Sequence, residues 1–369
     1  MNDLVVVGGG FAGLVCARSA ALRGLRVTVL ERKGVIGARP HTTGILVKEA
    51  AEAWEVPPRF TRMIRGVRLY APSLRYIDLD SPGYYFLATD TEALLRWFGK
   101  EAQYAGARIV CEAPFRGAVR DADGFTLLDY ARRTRFIVGA DGARSRVARE
   151  FGLGLSERFL VGAEFEYDGV RGVDPDRLHC FLDSNIAPGY IAWVIAGVRG
   201  ITQVGLACRG NHTPDVEAFR ARLATLFDFS EARLVGRRGG LIPVGGRVAP
   251  FAADGVLLIG DAAGIVSPLT AGGIHTALDC GRRAGHAIAD YLQDGGPAPG
   301  PVMRSRLPRF VVKGMLRRLF DHAPPNRVYE RALSSPIMRL AAQFAYFHKR
   351  GPFSLRAWRE GWTGFTPTR

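Results

Sequence analysis

Apolar residues near the start of this chain fall into short continuous runs separated by one helical segment. Leu4–Val7 is an apolar run that ends in the glycine-rich loop Gly8–Gly13. The Ala- and Leu-rich stretch Leu14–Arg23 follows, and then a second short run, Arg26–Leu30. Continuous runs of this kind predict buried parallel strands, and a helix between two of them predicts a βαβ unit of about thirty residues.

Two later apolar runs also lead into glycine-rich loops. Arg135–Ala140 predicts a strand that continues into Asp141-Gly142 and then a helix over Arg146–Phe151. Val256–Ile259 predicts another strand, followed by a loop rich in Gly and Ala and a helix over residues 274–292. Repeated strand–loop–helix units predict an α/β fold with a Rossmann-like sheet.

The segment over residues 160–245 has a different pattern, since apolar and polar residues alternate there in several short runs. Alternation with period two predicts an antiparallel sheet with one buried face, to which residues 66–78 add strands. Residues 294–301, DGGPAPGP, predict a linker. Beyond it, two helices are predicted over Pro308–Phe320 and Pro336–Lys349, and the second is amphipathic.

Composition narrows the class of protein. With 369 residues, 47% hydrophobic and 23% charged, the chain is long and apolar enough to fold, which excludes global disorder. No apolar run reaches the roughly 18 residues of a membrane-spanning helix, and the first residues do not resemble a secretory signal. The five cysteines form no CxxC pair, and the histidines lack metal-ligand spacing. We therefore expect a cytoplasmic protein with reduced thiols and no metal site.

The net charge of +15 is concentrated in the last part of the chain. Residues 302–369 contain 14 Lys/Arg against 3 Asp/Glu, whereas the preceding residues contain 36 against 32. Because the basic residues lie beside aromatic ones in predicted helices, we expect them either to pack on the protein or to make a peripheral membrane contact. No nucleic-acid partner is predicted, since no stacking sheet or recognition module accompanies the charge.

The first loop carries a nucleotide-binding pattern. Gly8, Gly10 and Gly13 match G-x-G-x-x-G, in which the glycines permit a tight turn, close approach of a pyrophosphate and close helix–strand packing. The helix that follows offers unpaired N–H groups to the phosphates. Glu31, at the end of the next strand, is placed to accept hydrogen bonds from a ribose. The spacing predicts a bound dinucleotide, and does not by itself distinguish FAD from NAD.

The later motifs resemble those of FAD-dependent oxidoreductases that share the p-hydroxybenzoate hydroxylase fold. Asp141-Gly142 matches the DG motif of that fold, and Gly260-Asp261 matches its GD motif. The resemblance implies that FAD is the cofactor and that NAD(P)H serves as a transient electron donor. It also implies that a second sheet covers the flavin.

A closer resemblance is to the geranylgeranyl reductase family of this fold. Gly260–Ile274 matches the family segment G-D-A-A-G-x-x-x-P-x-x-x-G-G-I, and Pro188–Ile195 keeps the Pro, Gly, Tyr and Trp of a family strand that lines the substrate cavity. Two departures stand out. His41–Gly44 has no cysteine where some members carry a Cys-Gly motif, and Thr91 stands where many have an FAD-contacting arginine.

The resemblance implies a set of site residues. The cofactor-binding residues are Gly8, Gly10, Phe11, Ala12, Gly13, Glu31, Arg32, Val119, Asp141, Gly142, Gly260, Asp261, Pro268, Gly272, Gly273 and Ile274. The substrate-binding residues are Tyr190, Trp193, His179, Phe181, Thr43 and Gly44. Since Tyr190 and Trp193 lie three apart on a predicted strand, we expect them to point to opposite faces. His275 is the candidate proton donor, and a solvent-facing or capping histidine is the alternative.

The predicted layout is discontinuous. Residues 1–70, 88–160 and 245–300 form the FAD-binding domain, residues 71–87 and 161–244 the inserted β-sheet substrate domain, and residues 301–369 a basic helical C-terminal region.

Three functions remain open at this point. The first is an FAD-dependent reductase that transfers hydride from flavin N5 to a hydrophobic, polyprenyl-like substrate, with electrons from NAD(P)H or a reduced protein carrier. The second is an FAD-dependent monooxygenase of an aromatic or other small apolar compound, a hydroxylase or a halogenase-like oxygen user. The third is a flavin-binding protein without catalytic activity. Oxygen consumption separates the second from the first.

Overall fold

The computed structural model describes residues 1–128 and 133–347 of the chain. Its strands are β1 Asn2–Val7, β2 Val27–Leu30, β3 Ile45–Val47, β4 Thr61–Ile64, β5 Gly66–Tyr70, β6 Tyr76–Asp80, β7 Phe86–Thr89, β8 Arg108–Val110, β9 Ala118–Asp121, β10 Gly124–Leu127, β11 Arg133–Gly139, β12 Phe159–Asp168, β13 Arg177–Phe181, β14 Ala192–Ala196, β15 Thr202–Arg209, β16 Arg233–Pro243, β17 Ala252–Ala253 and β18 Val256–Leu258. Its α-helices are α1 Phe11–Leu22, α2 Lys48–Trp54, α3 Thr91–Tyr104, α4 Arg146–Glu150, α5 Val216–Leu223, α6 Ile274–Asp294, α7 Pro299–Arg306, α8 Val311–Asp321, α9 Asn326–Leu333 and α10 Pro336–Phe347.

The first compact unit comprises residues 1–40, 92–158 and 243–310 and contains a mainly parallel sheet. Its order is β17-β18-β11-β1-β2-β8, and β1 pairs in parallel with both β2 and β11. β1 and β2 are almost wholly buried, as continuous apolar runs require in a parallel sheet. The predicted βαβ unit and the strands that end at Gly139 and Leu258 are therefore confirmed.

Helices α1 and α6 pack closely along small residues within this unit. A Cβ placed on Gly281 would overlap the Ala12 carbonyl oxygen, and one on Gly285 would lie 2.6 Å from the Cys16 carbonyl oxygen. The two backbones therefore approach each other more closely than larger side chains allow. Because α1 begins at the first glycine loop and α6 begins at Ile274, this packing fixes the starts of two helices in the same unit.

The second compact unit comprises residues 41–91, 159–242 and 311–369, of which the structure describes those up to 347. Its large sheet has the order β16-β12-β15-β14-β13-β5-β6, and a small antiparallel sheet has the order β3-β7-β4. The predicted antiparallel sheet is right for most pairs, but β13 and β5 are parallel. β5 comes from a chain segment about a hundred residues earlier, so no hairpin dictates its direction.

The two faces of the seven-stranded sheet cover separate hydrophobic clusters. One cluster includes Val194, Leu206 and Phe181 and packs against α5. The other includes Cys180, Ile195 and Leu69, with Trp193 packed against it. Alternate residues of each strand belong to opposite clusters, so this sheet is buried on both faces.

The C-terminal helices differ from the expectation in three ways. Residues 299–301 of the predicted linker form the first turn of α7, which suits Pro299 because a first-turn proline lacks only an N–H that would have no helical partner. α8 begins at Val311 rather than Pro308, and α9 was not predicted. α10, Pro336–Phe347, agrees with the second predicted helix over the described residues, and the last two residues of that prediction lie outside them. None of the helices in the described ranges is long and apolar enough to cross a bilayer.

The compact units divide the chain differently from the predicted layout at two places. Residues 41–70 belong with the second sheet, and residues 311–347 belong with it as well. Both segments contribute side chains to the second unit's hydrophobic clusters, for example Val67 and Phe347.

Candidate functional site

The carboxyl ends of the parallel strands bring the predicted cofactor residues to one edge of the first sheet. The Gly8 N–H donates to the Leu30 carbonyl at 2.8 Å, and the Ala140 N–H donates to the Val7 carbonyl at 2.8 Å. The loops after β1, β2 and β11 therefore meet at one place, the usual location of ligands in open α/β sheets.

Two of the three glycine positions of the motif in the first loop have no room for any other residue. Gly8 has φ +110°, and a Cβ there would overlap the Ala140 carbonyl oxygen; a Cβ on Gly13 would overlap the Gly8 carbonyl oxygen. Gly10 is different, because nothing lies within 4 Å of its Cβ position. Gly10 is also the N-cap of α1 and makes no side-chain cap, so it leaves the first-turn N–H groups, those of Phe11 and Ala12 among them, available to a ligand.

Glu31 is held in position at the end of β2. Its carboxylate accepts hydrogen bonds from the Gly9 N–H at 2.8 Å and the Lys33 N–H at 2.9 Å. Each carboxylate oxygen retains a further lone pair that a ribose hydroxyl can use. Arg32 is exposed beside it.

The loop after β18 forms a second glycine-rich surface in the same unit. Gly260 has φ +58°, and a Cβ there would lie 2.9 Å from the Ala12 Cβ, so this loop rests on the start of α1. Burial raises the pKa of the Asp261 carboxyl to about 6, which leaves it mainly ionised at neutral pH as an acceptor for hydroxyl groups. The Ser267 N–H donates to the Gly272 carbonyl at 3.1 Å and closes the turn.

Gly272 and Gly273 lead directly into α6, which has no side-chain cap. Together with buried Pro268 and Ile274 they make a surface with little side-chain volume beside a helix N-terminus. The residues of this unit therefore suit FAD: open first-turn amides of α1 for the pyrophosphate, Glu31 and Asp261 as hydroxyl acceptors, and a glycine-lined turn for a flat ring.

Three of the predicted cofactor residues, Asp141, Gly142 and Val119, have other surroundings. The Asp141 carboxylate accepts hydrogen bonds from the Ser145 hydroxyl at 2.6 Å and the Arg146 N–H at 2.6 Å, so it organises the start of α4. Gly142 has φ +83° with open space at its Cβ position. Val119 is 58% exposed on β9, a hairpin that joins the sheet at the amino end of β11, away from the glycine loop. The role of Val119 in binding the cofactor stays a prediction.

His275 is the second residue of α6 and its side chain is buried. The alternative of a solvent-facing histidine is therefore wrong, and the predicted role as a proton donor stays a prediction.

The predicted substrate-binding residues divide between the two faces of the seven-stranded sheet. Trp193 is the register partner of Cys180 and packs with it. Tyr190 precedes β14 in a turn after Gly189, and the Arg317 guanidinium lies 6.0 Å from its ring centre. Because Tyr190 is not on the strand, the alternation from which opposite faces were predicted for Tyr190 and Trp193 does not apply.

His179 and Phe181 lie on the other face, in the core. The Phe181 ring stacks on Tyr70 at 4.3 Å and contacts Phe219. His179 Nε2 lies 3.1 Å from the Asp174 carbonyl oxygen and must carry the proton, so Nδ1 accepts from the Tyr70 hydroxyl at 3.0 Å. Burial lowers the pKa of His179 to about 4 and keeps it neutral. The prediction that these two residues line a wall with Trp193 is therefore wrong.

Thr43 and Gly44 form a turn tied to the sheet of the second unit. The Thr43 carbonyl accepts a hydrogen bond from the Gln203 amide at 3.2 Å, and the Gly44 carbonyl accepts one from the Thr89 hydroxyl at 2.9 Å. Gly44 has φ +84°, and a Cβ there would overlap the Thr91 hydroxyl. Thr91 therefore fills space beside this turn, where the resemblance implied an arginine.

Glu164 and Arg238 were not predicted, yet they lie at the centre of these contacts. Glu164 is buried, and its carboxylate accepts a hydrogen bond from the Trp193 indole N–H at 2.6 Å. Arg238 pairs with Glu164 at 3.0 Å. The sequence signal that could have indicated Glu164 is a charged residue at a buried position of a strand. β12 contains two acids, Glu164 and Glu166, with a single residue between them.

Comparisons with known proteins cover most of the chain. A family model described as FAD dependent oxidoreductase matches residues 3–140, and one described as FAD binding domain matches residues 73–298. Digeranylgeranylglycerophospholipid reductase 2 of Methanopyrus kandleri is 32% identical over 312 residues, which is 79% of this chain and 78% of that protein.

Solved structures show the same fold. A geranylgeranyl bacteriochlorophyll reductase-like protein from Thermoplasma acidophilum superposes with a TM-score of 0.82 at 21% identity, covering 94% of this chain and 97% of that one. The p-nitrophenol 4-monooxygenase of Pseudomonas putida superposes with a TM-score of 0.69 at 15% identity, covering 95% and 99%. The fold is thus shared by reductases and oxygen-using enzymes.

Proposed function

This chain belongs to the FAD-dependent oxidoreductase family that includes the digeranylgeranylglycerophospholipid reductases, and from that premise we propose that it reduces carbon–carbon double bonds of a polyprenyl lipid. The observation that carries the proposal is the 32% identity to such a reductase over more than three quarters of both chains. The apolar surroundings of Trp193, on the sheet face that also holds Cys180 and Ile195, support a hydrophobic substrate.

Bound FAD supplies two-electron redox chemistry, and the protein binds, orients and shields it. The Gly10 loop and Glu31 would hold its nucleotide portion, and Asp261 and the Gly272-Gly273 turn its flavin portion. Saturation of a double bond also consumes a proton, for which we assign buried His275 as the donor. The electrons come from NAD(P)H or from a reduced protein carrier.

We expect the holoprotein to reduce a digeranylgeranyl glycerophospholipid without oxygen. Mass spectrometry after an anaerobic incubation with dithionite should detect products heavier by two hydrogen atoms for each double bond saturated. Parallel incubations with NADPH and NADH, followed by flavin absorbance, identify the natural donor. Oxygen uptake matched to substrate consumption, with an oxygenated product, would instead establish the monooxygenase function.

Helix α8 supports a peripheral membrane contact, because its apolar side chains are exposed and two of its charged side chains are buried. Val311, Met315 and Leu319 are 64%, 64% and 63% exposed, whereas Lys313 and Arg317 are buried. Arg317 donates to the Gly189 carbonyl and to Asp321, which fixes the charged face inward. The apolar face is therefore presented outward.

The occupant that suits this face is an anionic lipid surface. Arg318 is exposed next to the apolar residues, and the region from residue 302 carries the basic surplus of the chain. Apolar side chains enter the headgroup boundary while nearby arginines pair with lipid phosphates, each worth about 1 kcal/mol. A lipid-modifying enzyme with this face would meet its substrate at the bilayer.

We expect the triple variant Val311→Glu, Met315→Glu, Leu319→Glu to bind vesicles containing phosphatidylglycerol at least tenfold more weakly than the wild type. Co-sedimentation with the vesicles measures this binding. Vesicles of phosphatidylcholine, which has no net charge, show how much of the binding depends on the negative charge of the lipid. Val235→Glu, at an exposed apolar position on β16, is the matched control and should bind normally. Unchanged lipid binding by the triple variant, or a change only in oligomeric state, would overturn the membrane contact.

A further inference from the structure

Three residues on neighbouring strands of the second unit form a row across the sheet. Glu164 on β12 is paired with Gly205 on β15, and Gly205 is paired with Trp193 on β14. A Cβ on Gly205 would lie 2.5–2.7 Å from atoms of the Trp193 indole ring. The indole therefore lies flat across the glycine and reaches the carboxylate two strands away, a distance of about 10 Å between backbones.

The carboxylate of Glu164 is the fixed end of that row. One of its oxygens accepts the indole N–H bond at 2.6 Å, and the other lies 3.0 Å from the Arg238 guanidinium. Burial raises the pKa of Glu164, and the charge of Arg238 opposes that rise. A buried carboxylate is expensive unless it is paired and hydrogen-bonded, and here both conditions are met.

Arg238 connects the same carboxylate to the turn at residues 41–44. Its guanidinium donates to the Thr42 carbonyl at 3.0 Å and pairs with Glu164 and Glu166. The neighbouring Gly239 carbonyl lies 2.8 Å from the His41 ring nitrogen Nδ1. The turn and the indole are thus attached to one ion pair on β12 and β16.

We propose that Glu164 is a positioning residue that, with Arg238, fixes the Trp193 ring and the Thr42-Thr43 turn as a single preorganised surface for the apolar substrate. The proposal rests on the proposed function only in identifying that substrate. An indole held at its N–H presents its ring in one orientation, so less conformational entropy is lost when an apolar chain packs on it.

The first test needs no substrate. Acrylamide quenching of Trp193 fluorescence, taken as the difference from Trp193→Phe in each background, should be weak in the wild type, intermediate in Glu164→Gln and strongest in Glu164→Leu. Glutamine can still accept the indole bond but cannot pair with Arg238, whereas leucine does neither. Glu166→Gln is the matched control, since Glu166 pairs with Arg238 without touching Trp193. Equal quenching in wild type and Glu164→Leu would overturn the proposal.

The second test uses geranylgeraniol as the probe. We expect its dissociation constant, from Trp193 fluorescence, to rise about tenfold in Glu164→Gln, while FAD affinity stays unchanged because Trp193 and Arg238, the partners of Glu164 described above, belong to the second unit. If the wild type does not bind geranylgeraniol, the result contradicts the proposed polyprenyl substrate. The quenching experiment then decides by itself whether Glu164 positions Trp193. Where Glu164→Leu fails to fold, Glu164→Gln carries both measurements.

Discussion

Gly10→Asp should yield a folded protein that does not bind FAD. The Cβ position of Gly10 is open and its backbone is extended, so the new side chain fits without displacing any atom of the protein. Aspartate is a favourable N-cap residue and should stabilise α1 by a few tenths of a kcal/mol. Its charge, however, would occupy the space of the pyrophosphate and oppose it, so we expect FAD affinity to fall by about 100-fold or more.

The measurement is flavin absorbance after reconstitution, alongside the thermal midpoint of the apoprotein. Gly10→Ala separates volume from charge, because it adds only a methyl group to the same space. We expect it to weaken FAD binding less than Gly10→Asp does. A yellow Gly10→Asp protein with normal affinity would show that the α1 N-terminus is not the phosphate site.

Gly281→Val should destabilise the first unit by about 3 kcal/mol or more. Its side chain would overlap the Ala12 carbonyl and force α1 and α6 apart. Helix propensity alone predicts the opposite sign, since valine is a slightly better helix former than glycine. Packing and propensity therefore make contrary predictions at this residue, and urea unfolding followed by circular dichroism distinguishes them.

His286→Val is the matched control, because His286 lies on the same helix with an exposed side chain. We expect it to change the unfolding midpoint by less than a quarter of the Gly281→Val shift. A Gly281→Val protein as stable as the wild type would mean that the two helices can separate without cost.

The conformation of the glycine-rich loops could be predicted because it depends on local geometry. Gly8, Gly13 and Gly260 stand at fixed offsets from strand ends, and the conformations that exclude a Cβ follow from the turn itself. Val119 is different, because no such offset from a strand end fixes its position. Its hairpin joins the sheet at the end away from the glycine loop, which depends on strand order rather than on spacing.

The second unit was harder to predict because the sheet face to which a side chain points depends on where its strand begins. With Tyr190 taken as a strand residue, Tyr190 and Trp193 were assigned to opposite faces; β14 begins only at Ala192. Glu164 was missed because its partners, Trp193 and Arg238, come from strands 29 and 74 residues further along the chain. Apart from the second acid on β12, Glu166, the sequence around Glu164 does not indicate a paired carboxylate.

The close fit of α1 against α6 has a consequence for synthesis of the protein. The glycine loop at residues 8–13 leaves the ribosome first, but α6 and the turn before it follow more than 240 residues later. A nascent chain therefore exposes the small-residue side of α1 until α6 has been synthesised. Flavin capture should then be a late event, and fragments that stop before residue 274 should emerge without it.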